Sequence, residues 1–557
     1  MKQTQSKNIL ALLTFISTLL LSHSIGEIFY NSIDGTDFYR YFRYIEYFMG
    51  DIESPSREQG IFYFWVISLF IKYSHNFYIP EYWEFIYSSA IQFGNLLFYI
   101  IGVIGICLLL RARQISWDRI FLSCSLLNFF PPVLGGRLIM KPEIIAFAFL
   151  PWIIYSLEVY FEKDRKGILI FTSFLMSLIL TSKGTVALIS IFALFVIFFK
   201  KLQLIKLKDL ILPTLILLVS TYLLYFENFN INTISMLNHQ EQDSYLNKAP
   251  LSFIYNINFL DLISNPYRNF HANSMVGITL IDLFNDYFNR YWEHSRSLFI
   301  LDRIEVFSFL KHPRRNLSLV LSIFFIVLSF TKNNKYKYLY VSGIFILLLT
   351  SIGIFGLHFN PEKGDTVKTH YYFFLLGISF IFVVLDLLKG KKFWLDYLKT
   401  ISMIIVFLFI LGFPKSYTSS TSDKLLEKLP TTVSCSYSKI YFNNLLSSDI
   451  LCLDKEIATC GYIENFNKPE LHPDGYLIFE QDLEFTPKNL VDDDGYAVTV
   501  NGYAECLHYS EGGYFPNNGK FIIDRTPFYN NVFIYIVLIS LAGIRFSSRS
   551  EKNYSSS

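Results

Sequence analysis

Runs of about 20 mostly apolar residues have the length a helix needs to cross a bilayer. This chain carries them near 8–26, 85–110, 118–134, 143–161, 167–182, 184–199, 210–226, 316–331, 338–357, 371–388, 398–414 and 528–545. The pattern predicts an all-α polytopic membrane protein with about 12 transmembrane helices. Lys2 and Lys7 precede the first run and no small-residue cleavage site follows it, so it reads as a retained signal-anchor. A further apolar stretch at 61–73 is 13 residues long and is followed by Glu81 and Glu84. Counted as a span it would invert every later loop; it reads as interfacial or re-entrant.

The turns between spans sort by charge. Arg111/Arg113, Lys163/Arg165/Lys166, Lys200/Lys201/Lys206/Lys208, Lys332/Lys335/Lys337, Lys389/Lys391/Lys392 and Arg545/Arg549/Lys552 all fall on one side of a twelve-span count. By the positive-inside rule that side is cytoplasmic, with both termini on it, and a bacterial inner membrane fits the pattern. The long loops 27–84, 227–315, 358–370 and 415–527 then lie outside. The chain divides into a transmembrane part over 1–414, an extracytoplasmic domain over 415–527, and a last helix with its tail over 528–557.

Composition narrows the class. Of 557 residues 52% are hydrophobic and 17% charged, against about 25% charged in soluble domains. Mean hydropathy is +0.36. The net charge of +2 gives no basic field for nucleic acid. Soluble enzymes and disordered scaffolds are disfavoured, and no glycine-rich nucleotide loop supports an ATP-driven transporter.

Four of the six cysteines, Cys435, Cys452, Cys460 and Cys506, lie in the 415–527 loop. An even number outside the membrane suggests two disulfides with three possible pairings, and the spacings lack the close Cys-x-x-Cys pairs of structural zinc. Short strand-like runs at Ile440–Phe442, Tyr476–Phe479, Tyr496–Val500 and Phe521–Ile523 make this a small β-rich domain. Cys107 and Cys124 sit in apolar spans as small core residues.

Several outer segments carry candidate chemistry. Asp34 and Asp37 follow the first span and precede an amphipathic stretch in which Phe38, Tyr41/Phe42, Ile45 and Phe48/Met49 recur at helical spacing. Such a helix would lie on the membrane surface with its aromatics in the interface. The two aspartates can be a turn and an N-cap, or can activate a nucleophile or hold a divalent cation. Arg137, Lys141 and Glu143 fall between two spans, and Lys183 in the tight turn Thr181-Ser182-Lys183-Gly184. Basic residues on the outer side either snorkel or bind a lipid phosphate. Asp282, Asp286, Arg290 and Glu293 or His294 share one face of a helix drawn through 277–297, as a surface ion-pair row or as an acidic wall over a cavity. Lys363, Lys368 and His370 stand before a late span, solvated or facing an anionic lipid carrier.

The order of these pieces resembles the GT-C superfamily of polytopic glycosyltransferases, in its protein O-mannosyltransferase and aminoarabinose transferase-like branch. The resemblance rests on the acidic pair Asp34/Asp37 after span one and on the stretch Thr181, Lys183, Gly184, Val186, Ala187, which has an extra Ser182 and Thr185 where proline is expected. It rests also on the basic-Pro-acidic start Lys141-Pro142-Glu143, and on a Lys-x-x-Arg-Tyr opening, to which Lys368-Thr369-His370-Tyr371 corresponds one residue shorter, with His370 in place of the arginine. It covers roughly 8–200 and 358–390. It implies sugar transfer from a polyprenyl-phosphate donor to a lipid, glycan or protein acceptor at the outer face. Asp34 or Asp37 would be the base, with Asp37 the ligand if a divalent cation (Mg or Mn) is used. Arg137, Lys141, Glu143, Lys183, Asp282, Asp286, Lys368 and His370 would bind substrate. An O-antigen polymerase or ligase, resting on Arg268, His271, Arg290 and His294, and a lipid or solute transporter are the competing expectations.

Overall fold

The computed structural model describes residues 2–29, 32, 38–50, 60–74, 83–204, 207–225, 249–264, 266, 271, 273–284, 313–331, 334–352, 354, 367–390 and 392–411, together with short strands between 450 and 508. Asp34, Asp37, Arg268, Asp286, Arg290, Glu293, His294, Lys363, Cys435, Cys460 and the apolar run 528–545 lie outside the described residues.

The protein is a bundle of apolar helices: α1 (Lys2–Phe29), α2 (Phe38–Met49), α3 (Phe62–Ser74), α4 (Trp83–Ala112), α5 (Trp117–Leu127), α6 (Pro131–Leu138), α7 (Ile144–Lys163), α8 (Gly167–Leu180), α9 (Gly184–Phe198) and α10 (Leu207–Tyr225). There follow α11 (Ser252–Tyr255), α12 (Phe259–Ser264), α13 (Met275–Asp282), α14 (Pro313–Phe330), α15 (Tyr340–Ser351), α16 (Phe373–Leu387) and α17 (Phe393–Leu411). Among the described residues five helices are long and apolar enough to cross a membrane, and α3, α8, α14, α15 and α16 are shorter apolar helices. This is a helical, membrane-type architecture. Hydroxyls inside its helices are folded back onto the backbone: the Thr14, Thr18 and Ser22 hydroxyls donate to the Leu10, Phe15 and Leu19 carbonyls, each at 2.9 Å. Such bonds satisfy hydroxyls where no water can.

α4 and α7 lie side by side because α4 is smooth where they touch. A Cβ at Gly102 would stand 2.4 Å from the Phe147 carbonyl oxygen, so the backbones approach as closely as small residues permit. The Trp152 indole donates to the Ile101 carbonyl at 2.8 Å across the same interface.

The third predicted span is not one helix. Pro131 and Pro132 occupy the first turn of α6, and Phe130 before them is extended at φ −64°, ψ 114°. Proline is tolerated at a helix start and disfavours helical geometry in the residue before it. The chain therefore breaks after α5 and restarts as the fully buried α6. Phe130 at the break stacks on Phe380 with ring centroids 4.2 Å apart.

Two expectations about surface helices are also corrected. In α2, Tyr41, Tyr44 and Ile45 are buried in the protein, with Tyr44 stacked on Phe64 of α3 at 4.3 Å. Its aromatic stripe serves as packing, at least in part, in place of a membrane anchor. Of the helix drawn through 277–297 the described part is α13, which ends at Asp282, and Asp282 is buried where an outward-facing row was expected; 285–297 lie outside the described residues. The next residues drive inward: Phe284 lies 5.2 Å from the Phe130 ring, 5.7 Å from Phe325 and 6.0 Å from Phe407. Near-continuous apolar residues made this segment a better buried plug than a half-exposed helix.

α3 forms where the short apolar stretch was expected. Trp65, Leu69 and Tyr73 line its exposed face at i,i+4 spacing, opposite the buried Phe64, Ile67 and Ile71.

The basic turns meet at one end of the bundle. Arg113, after α4, pairs with Glu158 of α7, and Tyr336 in the α14–α15 turn donates to the same carboxylate. The Arg113 guanidinium lies 4.1 Å from the Tyr336 ring centroid. Lys335 donates to the Ile197 carbonyl of α9, Lys166 meets Asp209 of α10 at 2.8 Å, and Lys337 and Lys389 both meet Asp386 of α16. Burial pulls the Lys335 ammonium below the usual lysine range. In the 415–527 region, strand β1 (Ile450–Cys452) pairs antiparallel with β4 (Cys506–His508), and β2 (Glu470–Leu471) with β3 (Leu477–Ile478). β3 falls inside the expected run Tyr476–Phe479; the expected runs Ile440–Phe442, Tyr496–Val500 and Phe521–Ile523 lie outside the described residues, and the other three strands were not anticipated.

Glu158 holds both Arg113 and Tyr336, so Glu158→Ala leaves a half-buried guanidinium and a buried phenol without an acceptor. Breaking such a pair costs about 3–5 kcal/mol. The variant's apparent melting temperature in detergent is expected to fall well below that of Glu162→Ala, whose side chain makes no such pair.

Candidate active site

Fifteen residues before Glu158, at the opposite end of α7, three separated segments bring ionisable groups together. Helical rise alone sets these ends about 22 Å apart. α7 starts from the turn Lys141-Pro142-Glu143, in which the Pro142 carbonyl accepts from Ile145 at 3.1 Å. Glu143 has no exposed surface. Its Oε1 accepts from Lys183 Nζ at 2.9 Å and lies 3.7 Å from His370 Nε2. Its Oε2 has no hydrogen-bond partner among the described residues.

Each partner is presented by a local break in helix. Lys183 is extended at φ −163°, ψ 133° as the N-cap of α9. The turn before it is tied back by Thr181 Oγ1 to the Ser177 carbonyl at 2.8 Å and Ser182 Oγ to the Ile179 carbonyl at 2.7 Å. His370 sits in the 3₁₀ turn Thr369–Tyr371 ahead of α16. The Lys368 carbonyl accepts from the Tyr371 N–H at 3.1 Å, and the Lys368 side chain is partly exposed.

Aromatic side chains wall the cluster. Lys183 Nζ donates to Tyr41 Oη at 3.4 Å and lies 4.8 Å from the Tyr371 ring centroid. Lys141 Nζ stands 5.1 Å from the Tyr41 ring. Cations over aromatic faces gain about 0.5–2 kcal/mol, more where water is excluded. Tyr63 donates to Asn95 Oδ1 at 2.9 Å, and Asn95 Nδ2 donates to the Ile139 carbonyl at 2.8 Å, which pins α3 and α4 to the turn that carries Lys141 and Glu143. The Gly60 N–H donates to the Thr181 carbonyl at 2.7 Å, and a Cβ there would stand 2.0 Å from that oxygen.

Lys141, Glu143, Lys183 and His370, singled out in sequence, therefore converge. Arg137 does not join them. It is buried between α1 and α4, where its Nη2 donates to Ser22 Oγ at 3.0 Å and its guanidinium lies 4.9 Å from the Tyr99 ring. It acts as a tie between helices and faces no lipid boundary. Asp282 and His271 are both buried at the two ends of the α13 segment. Sequence reasoning missed Asn95 and Gly60, and named Tyr371 only within the Lys368–Tyr371 motif and Tyr41 and Tyr63 only among the outer aromatics of 38–48 and 61–65. A hydroxyl among phenylalanines was the available signal.

Two lysines and a histidine against one carboxylate leave a cationic balance, so the cluster is suited to an anion. Among the described residues no group of three or more His, Cys, Asp or Glu could hold a metal. The one carboxylate in the cluster already faces Lys183, and the expected ligand Asp37 lies outside the described residues. The residues flanking it are anchored here: the Ser32 hydroxyl donates to the Leu138 carbonyl, the Met140 N–H donates to the Ser32 carbonyl at 3.4 Å, and Tyr41 meets Lys183.

No protein-family model matches this chain, and no curated protein matches it in sequence.

Gly60→Ala forces a methyl against a carbonyl oxygen of the chain that carries Lys183. If the cluster is catalytic, the variant loses activity about tenfold or more while still inserting and folding, the loss being a displacement of Lys183. A side-by-side comparison with Gly50→Ala, at a left-handed position with open space around it, checks this: equal losses in the two would remove the positional explanation.

Proposed function

We propose that the protein is a membrane glycosyltransferase that moves a sugar from a polyprenyl-phosphate donor to a lipid, glycan or protein acceptor. The observation that carries the reading is the shared Glu143 carboxylate, with Lys183 and His370 on one oxygen and Lys141 close by, at the end of α7 remote from the basic turns. A glycosyl phosphate gains negative charge on its leaving oxygens as the glycosidic bond breaks. Preorganised cations lower the free energy of that charge more than of the ground state. Lys183 takes this role as a cation and His370 as an N–H donor, Lys141 adds to the field, and Glu143 orients Lys183 and His370.

The acceptor hydroxyl needs a base, and Glu143, shielded by Lys183, is not free to be it. Asp37 or Asp34 fills that role, because Ser32 and Tyr41 on either side of them touch the cluster's own segments. A divalent cation at Asp37 would supply charge for the same purpose. The twelve-span topology puts both termini in the cytoplasm and the cluster on the outer face of a bacterial inner membrane. What supports this is that the basic turns meet at one end and the cluster sits at the other. The 415–527 loop is then an outer, cysteine-bearing domain.

The test is sugar transfer from radiolabelled polyprenyl-phosphate donors by the full-length protein in vesicles. Lys183→Met and Asp37→Asn are each expected to reduce turnover by about 10²-fold or more. Asp34→Asn separates the two aspartates. Full activity in both aspartate variants overturns the base assignment, and full activity in Lys183→Met overturns the leaving-group assignment.

A further inference from the structure

The 415–527 loop holds four cysteines that three pairings could join, and spacing alone does not choose among them. The backbone does. β1 and β4 pair antiparallel with Ile450 opposite His508, Leu451 opposite Leu507 and Cys452 opposite Cys506. Directly opposed residues on antiparallel strands occupy the same face of the ladder, with Cα atoms about 4.5–5.5 Å apart. A disulfide spans Cα separations of about 4.4–6.8 Å. The register therefore meets the distance requirement without moving the strands.

We propose that Cys452 and Cys506 form a disulfide. The bridge closes a loop that contains β2, β3 and Cys460, and it clamps one end of a two-stranded ladder only three residues long. Isolated two-stranded pairs are marginal in water, so a covalent tie is what such a ladder needs. The chemistry balances by exchange with a protein disulfide donor. The thiolate of one cysteine attacks a donor sulfur and forms a mixed disulfide. The second thiolate then displaces the donor, which leaves as a dithiol carrying the two electrons, while the two cysteines lose their protons. Oxidation needs the loop to face an oxidising compartment. The proposal rests on the outer placement of the loop proposed above and not on the sugar-transfer reading, and its test does not measure activity.

The test is peptide mapping of the full-length protein taken from membranes, with free thiols first blocked by N-ethylmaleimide and proteolysis run without reductant. The expected result is one linked species bearing Cys452 and Cys506, separated into two peptides by reductant. Maleimide on either residue, or linkage of either to Cys435 or Cys460, overturns the assignment. Cys506→Ser gives a second reading: Cys452, unreactive in the unmutated protein, is expected to take up one equivalent of maleimide. An unchanged Cys452 in that variant, still unreactive because it is bonded elsewhere, also overturns it.

Discussion

A carboxylate with no exposed surface stays charged only beside a cation, and most of the cluster follows from how Glu143 meets that condition. The cost of removing an isolated carboxylate from water is several kcal/mol even after relaxation. Lys183 offsets it at 2.9 Å, and to do so the chain must leave helix between α8 and α9. His370 approaches the same oxygen, and for that α16 must begin with a 3₁₀ turn. Three interruptions of regular structure, at 141–143, 181–183 and 369–371, are thus one requirement met from three directions. Apolar helices supply the low dielectric that makes the requirement strict.

The opposite end solves a similar problem by different means. Glu158 and Asp386 are each held by two partners drawn from different turns. These pairs are closer to solvent and carry no unmet acceptor comparable to Glu143 Oε2, so they serve as clasps between turns. The protein therefore has a cross-linked end and an end at which Glu143 Oε2 has no hydrogen-bond partner among the described residues.

Much of this was legible in the sequence, for reasons that differ by residue. Helix positions followed from apolar run length, and the sorting of the basic turns followed from counting charge, since both are local properties. Lys183, Glu143 and His370 stood out individually as polar residues at span boundaries. Their convergence was not legible, because Glu143 and Lys183 are 40 positions apart and no local pattern records a contact at that range. The break at Pro131-Pro132 was present in the letters, yet an apolar run on both sides concealed it. Asp282 was read as part of an outward-facing row, and its burial was hidden because i,i+4 spacing describes a face without saying whether that face meets water or protein. Arg137 misled for the same reason: its position in the chain suggested a boundary, while its length let it reach Ser22 in the interior.

The 40-residue separation between the acid and its cation also has a meaning in time. Chains are synthesised at about 5–20 residues per second, so Lys183 follows Glu143 by about 2–8 seconds. His370 arrives much later still. During that interval α7 must wait with a carboxylate whose ionic partner in the finished fold, Lys183, has not yet been made. The last step of assembly for α7 is therefore set by the emergence of the α8–α9 turn: the helix cannot sink to its final depth with its charge intact until a residue from a different hairpin has been made.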